Sequence, residues 1–217
     1  MGRARRLLTA AAALSVVLTL AGCAADSPDQ QLTSGMKTFG DDDGMNGAVL
    51  DEPYVVPDTT LTATDDAPFS LTADTTEPLT LVFFGYTHCP DICQLVMSDI
   101  ASAMTRLDQA DRDKVAMLFI TSDPARDDPQ VLRDYLDRFD PGFEGLTGDL
   151  DTIVTVADDL GVPIEKGARM PSGGYEVAHG TQIVGVDDRD RAPIVWTEGT
   201  SAADLAEDIT TLLHDNG

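Results

Sequence analysis

The segment Phe83-Phe84-Gly85-Tyr86-Thr87-His88-Cys89-Pro90-Asp91-Ile92-Cys93 links an apolar run to an amphipathic one. The apolar run, residues 79–84, has the length and composition of a buried central strand. The amphipathic run, residues 92–107, repeats its apolar side chains with the period of a helix. Pro90 suits the first helical position because it has no N–H to lose. The segment therefore predicts a strand, a loop and a helix, with two cysteines where the loop enters the helix.

Outward from this unit, strand and helix patterns alternate along the chain. Short strand pieces are expected before it, at residues 54–57 and 69–72. After it, the patterns predict a strand (115–121), a helix (128–139), a helix from 149, a loop (165–174), a hairpin (181–186 with 193–196) and a helix from 201 to 213. The order β-α-β-α-α-β-β-α predicts an α/β protein with a thioredoxin-like fold, in which a central mixed sheet is flanked by helices.

The N-terminus has the pattern of a secretory signal. Arginines precede an uncharged run, residues 7–20, which is shorter than the roughly 20 residues of a membrane-spanning helix. The next residues, Ala21-Gly22-Cys23, resemble the lipobox of bacterial lipoproteins, in which the cysteine is lipidated and becomes the first mature residue. A plain signal peptide with an incidental cysteine is the alternative. We expect a lipoprotein signal peptide (1–22), a flexible acidic tether (23–50) and a thioredoxin-like domain (51–217), held on the extracytoplasmic face of the cell membrane by lipid alone.

The charge of the chain is strongly negative. Its formal net charge is −24, and removal of the three arginines within residues 1–22, which contain no acidic residue, takes it to −27. Such a surface repels phosphate backbones and anionic lipids, so no nucleic-acid partner is expected. A cationic or metal-bearing partner would be attracted, although solubility or salt tolerance explains the same composition.

Cys89 and Cys93 have the chemistry of a metal or redox site. They are four residues apart, so they lie one turn apart on one face of a helix, at the end that favours negative charge and lowers a thiol pKa. The spacing is one residue longer than the Cys-x-x-Cys of ordinary thioredoxin-like oxidoreductases. It still permits a Cys89–Cys93 disulfide, but two soft thiolates also select Cu(I) or Zn(II).

A third metal ligand would come from one of three histidines. His88 adjoins Cys89 but is expected to point elsewhere on the loop, and His214 lies near the C-terminus and is expected to be exposed. His179 precedes the strand predicted from residue 181, a junction that a thioredoxin topology brings close to the cysteine loop. Taken alone, His179 would more often be a structural histidine.

Three blocks of sequence together resemble the SCO/SenC family. They are residues 86–93 (YTHCPDIC), 119–129 (FITSDPARDDP) and 175–180 (YEVAHG), in the order and spacing of that family. The resemblance covers roughly residues 50–215. Two positions depart from the family pattern: Gln94 stands where proline is usual, and Gly180 where serine is frequent.

The resemblance implies a copper site made of Cys89, Cys93 and His179. It also implies a metallochaperone that binds Cu(I) and Cu(II) and assists assembly of the binuclear copper A centre of cytochrome c oxidase subunit II. Asp123 matches an acidic residue of the family near the metal loop, where it would support the site or contact the partner. Capping of the turn before Pro124 is an equally good reading.

Three other functions are weighed against the chaperone. A thiol–disulfide reductase acting on the copper-ligand cysteines of the oxidase would need only Cys89 and Cys93. A peroxiredoxin-like peroxidase fits poorly because the cysteines are paired. A structural zinc site would want a fourth protein ligand, such as Asp123 or His88, and a closed site does not suit this loop.

Overall fold

The computed structural model describes residues 44–169 and 175–215, and within these it leaves the side chains of 166–169, 175–179 and 215 undescribed. Cys23, the predicted signal peptide and most of the predicted tether lie outside these residues. The described strands are β1 (Ala48–Val55), β2 (Thr60–Ala63), β3 (Pro68–Ser70), β4 (Leu79–Gly85), β5 (Val115–Thr121), β6 (Glu144–Thr147), β7 (Ile164–Arg169), β8 (Tyr175–His179), β9 (Ile183–Asp187) and β10 (Arg191–Trp196). The described helices are α1 (Ile92–Arg106), α2 (Gln109–Arg112), α3 (Pro129–Leu136), α4 (Leu150–Asp159) and α5 (Ala202–Asp215).

Eight of these strands form one mixed sheet in the order β1-β10-β9-β4-β5-β6-β2-β3. The central strand β4 runs parallel to β5 and antiparallel to β9, so that Phe83 lies opposite Phe119 on one side and Ile183 on the other. All seven residues of β4 are buried. This explains why the strand is a continuous apolar run and not an alternating one, because both faces of a central strand are covered.

Helices cover both faces of the sheet. Leu81 and Phe83 point into a core cluster with α1, α3 and α5, whereas Val82 and Phe84 point into a second cluster with α4. Each buried side chain of this size stabilises the fold by about 1.5–3 kcal/mol relative to exposure. The predicted α/β architecture, a central mixed sheet flanked by helices, is confirmed, and both cysteines belong to the cluster on the α1 side.

The predicted helix starts are confirmed by their caps. The Asp128 carboxylate accepts from the Val131 amide (2.9 Å) and Pro129 follows as the first residue of α3. Ser201 Oγ accepts from the Asp204 amide (3.2 Å) at the start of α5. Such caps satisfy amides that have no partner within the helix. The predicted end of α3 at residue 139 is wrong, since the helix ends at Leu136.

Four of the described strands, β2, β6, β7 and β8, were not expected from the sequence. The segment predicted as a loop, residues 165–174, instead begins with β7, which pairs with β8 in a two-stranded sheet. β7 contains Glu, Lys, Gly and Arg, so it has no apolar alternation to reveal it. β6 lies between α3 and α4, where no strand was predicted, because a four-residue strand carries too few side chains for a period.

The folded part begins before the predicted boundary at residue 51. The amides of Asn46 and Gly47 donate to the Asp208 carboxylate on α5 (2.9 and 2.8 Å), and Trp196 Nε1 donates to it as well (2.7 Å). These bonds fasten the start of β1 to the opposite end of the chain. Within the described residues, no helix combines the length and apolar character that crossing a membrane requires.

Candidate metal centre

The cysteine loop leaves the sheet at the carboxyl end of β4. Gly85 ends that strand, and a Cβ there would approach the Phe119 ring to 2.9 Å, so a side chain would collide with the core beneath the loop. The Ser122 amide donates to the Gly85 carbonyl (2.6 Å) and joins the loop to the end of β5. Both cysteines follow within eight residues of Gly85 and therefore lie close to the carboxyl end of β4.

Cys89 and Cys93 contact each other at the start of α1. Asp91 occupies the N-cap position without a side-chain cap, and the Cys89 sulfur accepts from the Cys93 amide instead (3.4 Å). The Cys89 amide donates to the Tyr86 carbonyl (3.2 Å), which turns the chain before the helix. Neither cysteine forms a disulfide. A four-residue spacing at a helix start therefore brings both sulfurs to one place.

The two thiols have different environments. Cys89 is 5% exposed and Cys93 is fully buried. Burial disfavours the thiolate of Cys89, but hydrogen bonds from the Cys93 thiol, from the amides of Asp91 and Cys93 and from the Tyr86 hydroxyl outweigh it, so the pKa of Cys89 is lowered. Burial, together with the bond that the thiol makes to Cys89, raises the pKa of Cys93. Cys89 is thus the outer thiol and the one that more readily forms a thiolate, and Cys93 is the inner thiol.

Tyr86 lines the same loop and supports the outer thiolate. Burial raises the pKa of Tyr86, and so do the charges of the two cysteines and the hydrogen bond that its hydroxyl makes to Cys89. The Arg126 guanidinium lies over the Tyr86 ring, 5.9 Å from its centre, and is paired with Asp123. The sequence analysis did not single out Tyr86 or Arg126, because their contacts arise between separate loops.

Asp123 is linked to the cysteine loop through Arg126 and Tyr86. Its carboxylate is buried, 2% exposed, and is held by Arg126, while its amide donates to Thr121 Oγ1 (3.0 Å). Its backbone carbonyl accepts from the amides of Arg126 and Asp127, which makes the turn after β5. In this geometry Asp123 builds the turn and supports the neighbouring loop, and it presents little surface to a partner.

Asp127 is the residue that ties the cysteine loop to the rest of the fold. Its fully buried carboxylate accepts from the Thr87 amide (2.9 Å), the Thr87 hydroxyl (2.6 Å) and the Thr121 hydroxyl (2.7 Å). The sequence analysis missed it. The only available signal was its place in the second of the three family blocks, residues 119–129, where nothing distinguishes it from its neighbours Asp123 and Asp128.

The backbone of His179 comes to the same sheet edge as the cysteine loop. His179 ends β8 opposite Ile164 of β7, and the Gly180 amide donates to the Pro163 carbonyl (2.9 Å). The chain then enters β9 at Ile183, opposite Phe83 of β4. Because β9 is antiparallel to β4, its first residue lies where β4 ends. The side chain of His179 lies outside the described ones, so its approach to the cysteines stays a prediction.

The interior beneath the cysteines is apolar. Tyr135 of α3 is almost completely buried, and its hydroxyl has no hydrogen-bond partner among the described residues. Burial, followed by the charge of Cys93, raises the pKa of Tyr135. Among the described side chains, no three His, Cys, Asp or Glu residues are grouped so that they could hold a metal ion. The cysteine pair itself supplies two soft donors with an apolar floor, a donor set that fits Cu(I).

Comparison with known proteins places these features in a family. The sequence model described as SCO1/SenC matches residues 49–214. The mitochondrial protein SCO2 of Saccharomyces cerevisiae is 40% identical over 98 residues, which are 41% of this chain and 33% of the yeast protein. Across three curated relatives, the chain spans 33% to 66% of the relative's length.

Solved structures show the same fold. Apo Sco1 of Thermus thermophilus is 27% identical with a TM-score of 0.70, over 77% of this chain and 96% of that one. ScoI of Bradyrhizobium japonicum with copper bound is 31% identical with a TM-score of 0.62, over 74% and 97%. BsSco, which is 19% identical with a TM-score of 0.59, is described as a member of the Sco family of cytochrome c oxidase assembly proteins. The predicted thioredoxin-like fold and the predicted family are confirmed.

Proposed function

Since this chain belongs to the SCO1/SenC family, we propose that it is a copper metallochaperone that binds Cu(I) and Cu(II) through Cys89, Cys93 and His179. The observation that carries the proposal is the pair of adjacent thiols, which differ in burial and in pKa and lie above an apolar interior. Thiolates are the ligands that Cu(I) prefers. His179 would supply the third ligand, since its backbone arrives at the same edge of the sheet.

The acceptor we propose is the binuclear copper A centre of cytochrome c oxidase subunit II. Cys89 is 5% exposed and Cys93 is fully buried, so a partner's ligands would replace the outer sulfur before the inner one. Stepwise exchange of this kind needs a site that opens on one side. The cysteine loop meets that requirement because it follows the carboxyl end of β4 and leaves Cys89 slightly exposed above the buried Cys93.

The alternative function is reduction of the oxidase cysteines. In that reaction the Cys89 thiolate attacks the partner's disulfide, and Cys93 then closes a Cys89–Cys93 disulfide and releases the partner as a dithiol. Two electrons pass to the partner, and the protons of the two thiols follow. The lowered pKa of Cys89 favours this chemistry as well. The enzyme reading needs neither His179 nor copper.

Copper titration of the reduced protein under anaerobic conditions tests the proposal. We expect one copper ion per chain, a large loss of affinity in Cys89→Ser and Cys93→Ser, and a strong loss of Cu(II) affinity in His179→Ala. His214→Ala is the matched control, because the His214 imidazole is hydrogen-bonded to Asp111 (3.0 Å) and is not one of the proposed copper ligands. Copper affinity that is unchanged in His179→Ala would remove this residue from the site. Stoichiometry well below one in the unmutated protein would favour the reductase.

The same proposal includes the predicted anchor and domain organisation. Residues 1–22 would be the signal peptide and Cys23 the lipidated residue, a tether would follow, and the domain would begin just before β1 (Ala48–Val55), on the extracytoplasmic face of the membrane. Phase separation of cell extracts in detergent tests it, since the lipidated chain partitions with the detergent. A Cys23→Ser chain should move to the aqueous phase, and unchanged partitioning would contradict the anchor.

A further inference from the structure

His88 adjoins Cys89 in the sequence and is far more exposed than that cysteine. Its side chain is 55% exposed, whereas its neighbour Cys89 is 5% exposed. Ring atom Nδ1 lies 2.9 Å from Thr87 Oγ1 and 3.7 Å from a carboxylate oxygen of Asp127. The imidazole therefore turns one nitrogen toward the buried network and has most of its surface in solvent.

The hydrogen bonds decide which nitrogen of His88 carries the proton. The Thr87 hydroxyl has one hydrogen, and it is donated to the Asp127 carboxylate at 2.6 Å, which is an acceptor only. The contact between Thr87 Oγ1 and His88 Nδ1 then requires Nδ1–H to donate to the oxygen. A neutral imidazole protonated at Nδ1 has its lone pair on Nε2. This is the form in which histidine binds metals, with its other nitrogen held by an outer hydrogen-bonded group.

From this relay we propose that His88 Nε2 is an outer copper ligand, the first protein atom to take a copper ion before it passes to Cys89 and Cys93. The inference rests on the proposed copper-binding function and adds a residue to the three ligands named above. Transfer between the atoms is an exchange of ligands, so the copper keeps its charge and no electron is moved. Copper would bind slowly to buried thiols alone, and an exposed imidazole next to them would increase the rate of binding.

The second exposed imidazole of the described residues provides a contrast within the same chain. His214 is 60% exposed, yet its Nε2 is bonded to Asp111 (3.0 Å), whose other oxygen accepts from Lys114 (3.0 Å). A cationic ammonium therefore lies at the carboxylate that holds the His214 ring. Exposure is thus similar at the two histidines, but only His88 adjoins one of the proposed thiol ligands.

Stopped-flow loading of the reduced chain with Cu(I) from a bicinchoninate complex, without oxygen, tests the role of His88. We expect His88→Ala and His88→Leu to slow loading by about tenfold or more, which corresponds to about 1.4 kcal/mol in the barrier. The final stoichiometry and affinity should change less than about twofold, because the inner ligands remain. His88→Met should restore fast loading, since a thioether is a soft ligand for Cu(I). His214→Ala should load at the unmutated rate.

The outcomes separate this inference from the proposed function. If the unmutated chain binds no copper, the proposed function fails. If it binds copper normally and His88→Ala loads at the same rate, the proposed function stands and the outer ligand is overturned. Slow loading in all His88 variants, methionine included, would also overturn it, because the effect would then come from the lost bond to Thr87 and not from a lost metal ligand.

Discussion

Replacement of Asp127 by asparagine tests how the cysteine loop is held. The carboxylate accepts three hydrogen bonds in a fully buried position, two from Thr87 and one from Thr121. Hydrogen bonds to a charged group contribute roughly 1.5–3 kcal/mol each, and neutral ones about 0.5–1.5 kcal/mol. Asparagine has nearly the same size as aspartate, so the three hydrogen bonds can keep their geometry in Asp127→Asn. Replacing three bonds to a charged group by three neutral ones lowers the free energy of unfolding by on the order of 3 kcal/mol. That is a large share of a total stability of about 5–15 kcal/mol.

Urea unfolding followed by tryptophan fluorescence measures this change. Trp196 is the single tryptophan of the chain and is fully buried, so its emission reports the folded state. We expect a lower midpoint with an unchanged slope, which indicates lost stability and not a changed surface. Asp188→Asn is the matched control, because that aspartate lies on an exposed turn, 65% exposed. Equal urea midpoints in Asp127→Asn and Asp188→Asn would refute the conclusion that the charge of Asp127 holds the cysteine loop in place.

The same substitution has a second consequence for the relay. An amide at position 127 would keep its oxygen toward the Thr87 amide and Thr121, and its NH₂ group would face the Thr87 hydroxyl. Thr87 would then accept from residue 127 and donate to His88 Nδ1. The imidazole proton would move to Nε2, where it blocks metal binding. Asp127→Asn should therefore slow Cu(I) loading as His88→Ala does, and His88→Met should rescue it.

Three further predictions concern the thiols and the fold. In the reduced protein at neutral pH, substoichiometric iodoacetamide should modify Cys89 before Cys93, because Cys93 is fully buried and its pKa is raised; equal labelling in peptide mass spectra would contradict the assigned order. Tyr86→Phe removes a hydrogen bond that lowers the pKa of Cys89, so the alkylation profile of Cys89 should move to higher pH, and an unmoved profile would exclude that bond. Gly161→Ala should lower the free energy of unfolding by about 1–3 kcal/mol, since Gly161 has a φ of +70° and a Cβ would lie 2.3 Å from the Tyr54 ring. Urea unfolding measures it, and stability equal to the unmutated chain would show that Tyr54 moves freely.

The asymmetry of the two cysteines links the proposed function to its alternative. The pKa of Cys89 is lowered and that of the more deeply buried Cys93 is raised, and this arrangement serves both metal exchange and attack on a disulfide. Copper affinity and thiol reactivity therefore share Cys89. Substitution of His179 or His88 would separate the two functions, because both residues are proposed as copper ligands and neither is needed for thiol exchange.

The sequence by itself determined the elements that have a strong local signal. β4 and β5 were predicted from their apolar runs, and α1 from its helical period, because a covered strand and a half-covered helix must each be apolar in a fixed pattern. The starts of α3 and α5 followed from capping residues. The cysteine pair, its spacing and its place at a strand-to-helix turn could also be predicted, because all of these features lie within residues 83–93.

Only the tertiary structure decided what depends on neighbours distant in sequence. β6 and β7 carry no pattern of their own and exist because β5 and β8 supply their hydrogen bonds. The early start of the domain depends on Asp208, 161 residues after Gly47 along the chain.

At the site, the pKa difference between Cys89 and Cys93 comes from burial and from the hydrogen bond between the two thiols, with a smaller contribution from the Tyr86 hydroxyl; spacing alone encodes neither the burial nor the contact with Tyr86. The relay from Asp127 through Thr87 joins residues 40 positions apart. Local sequence specifies which groups are present, but hydrogen bonds and burial between distant segments set their protonation and reach.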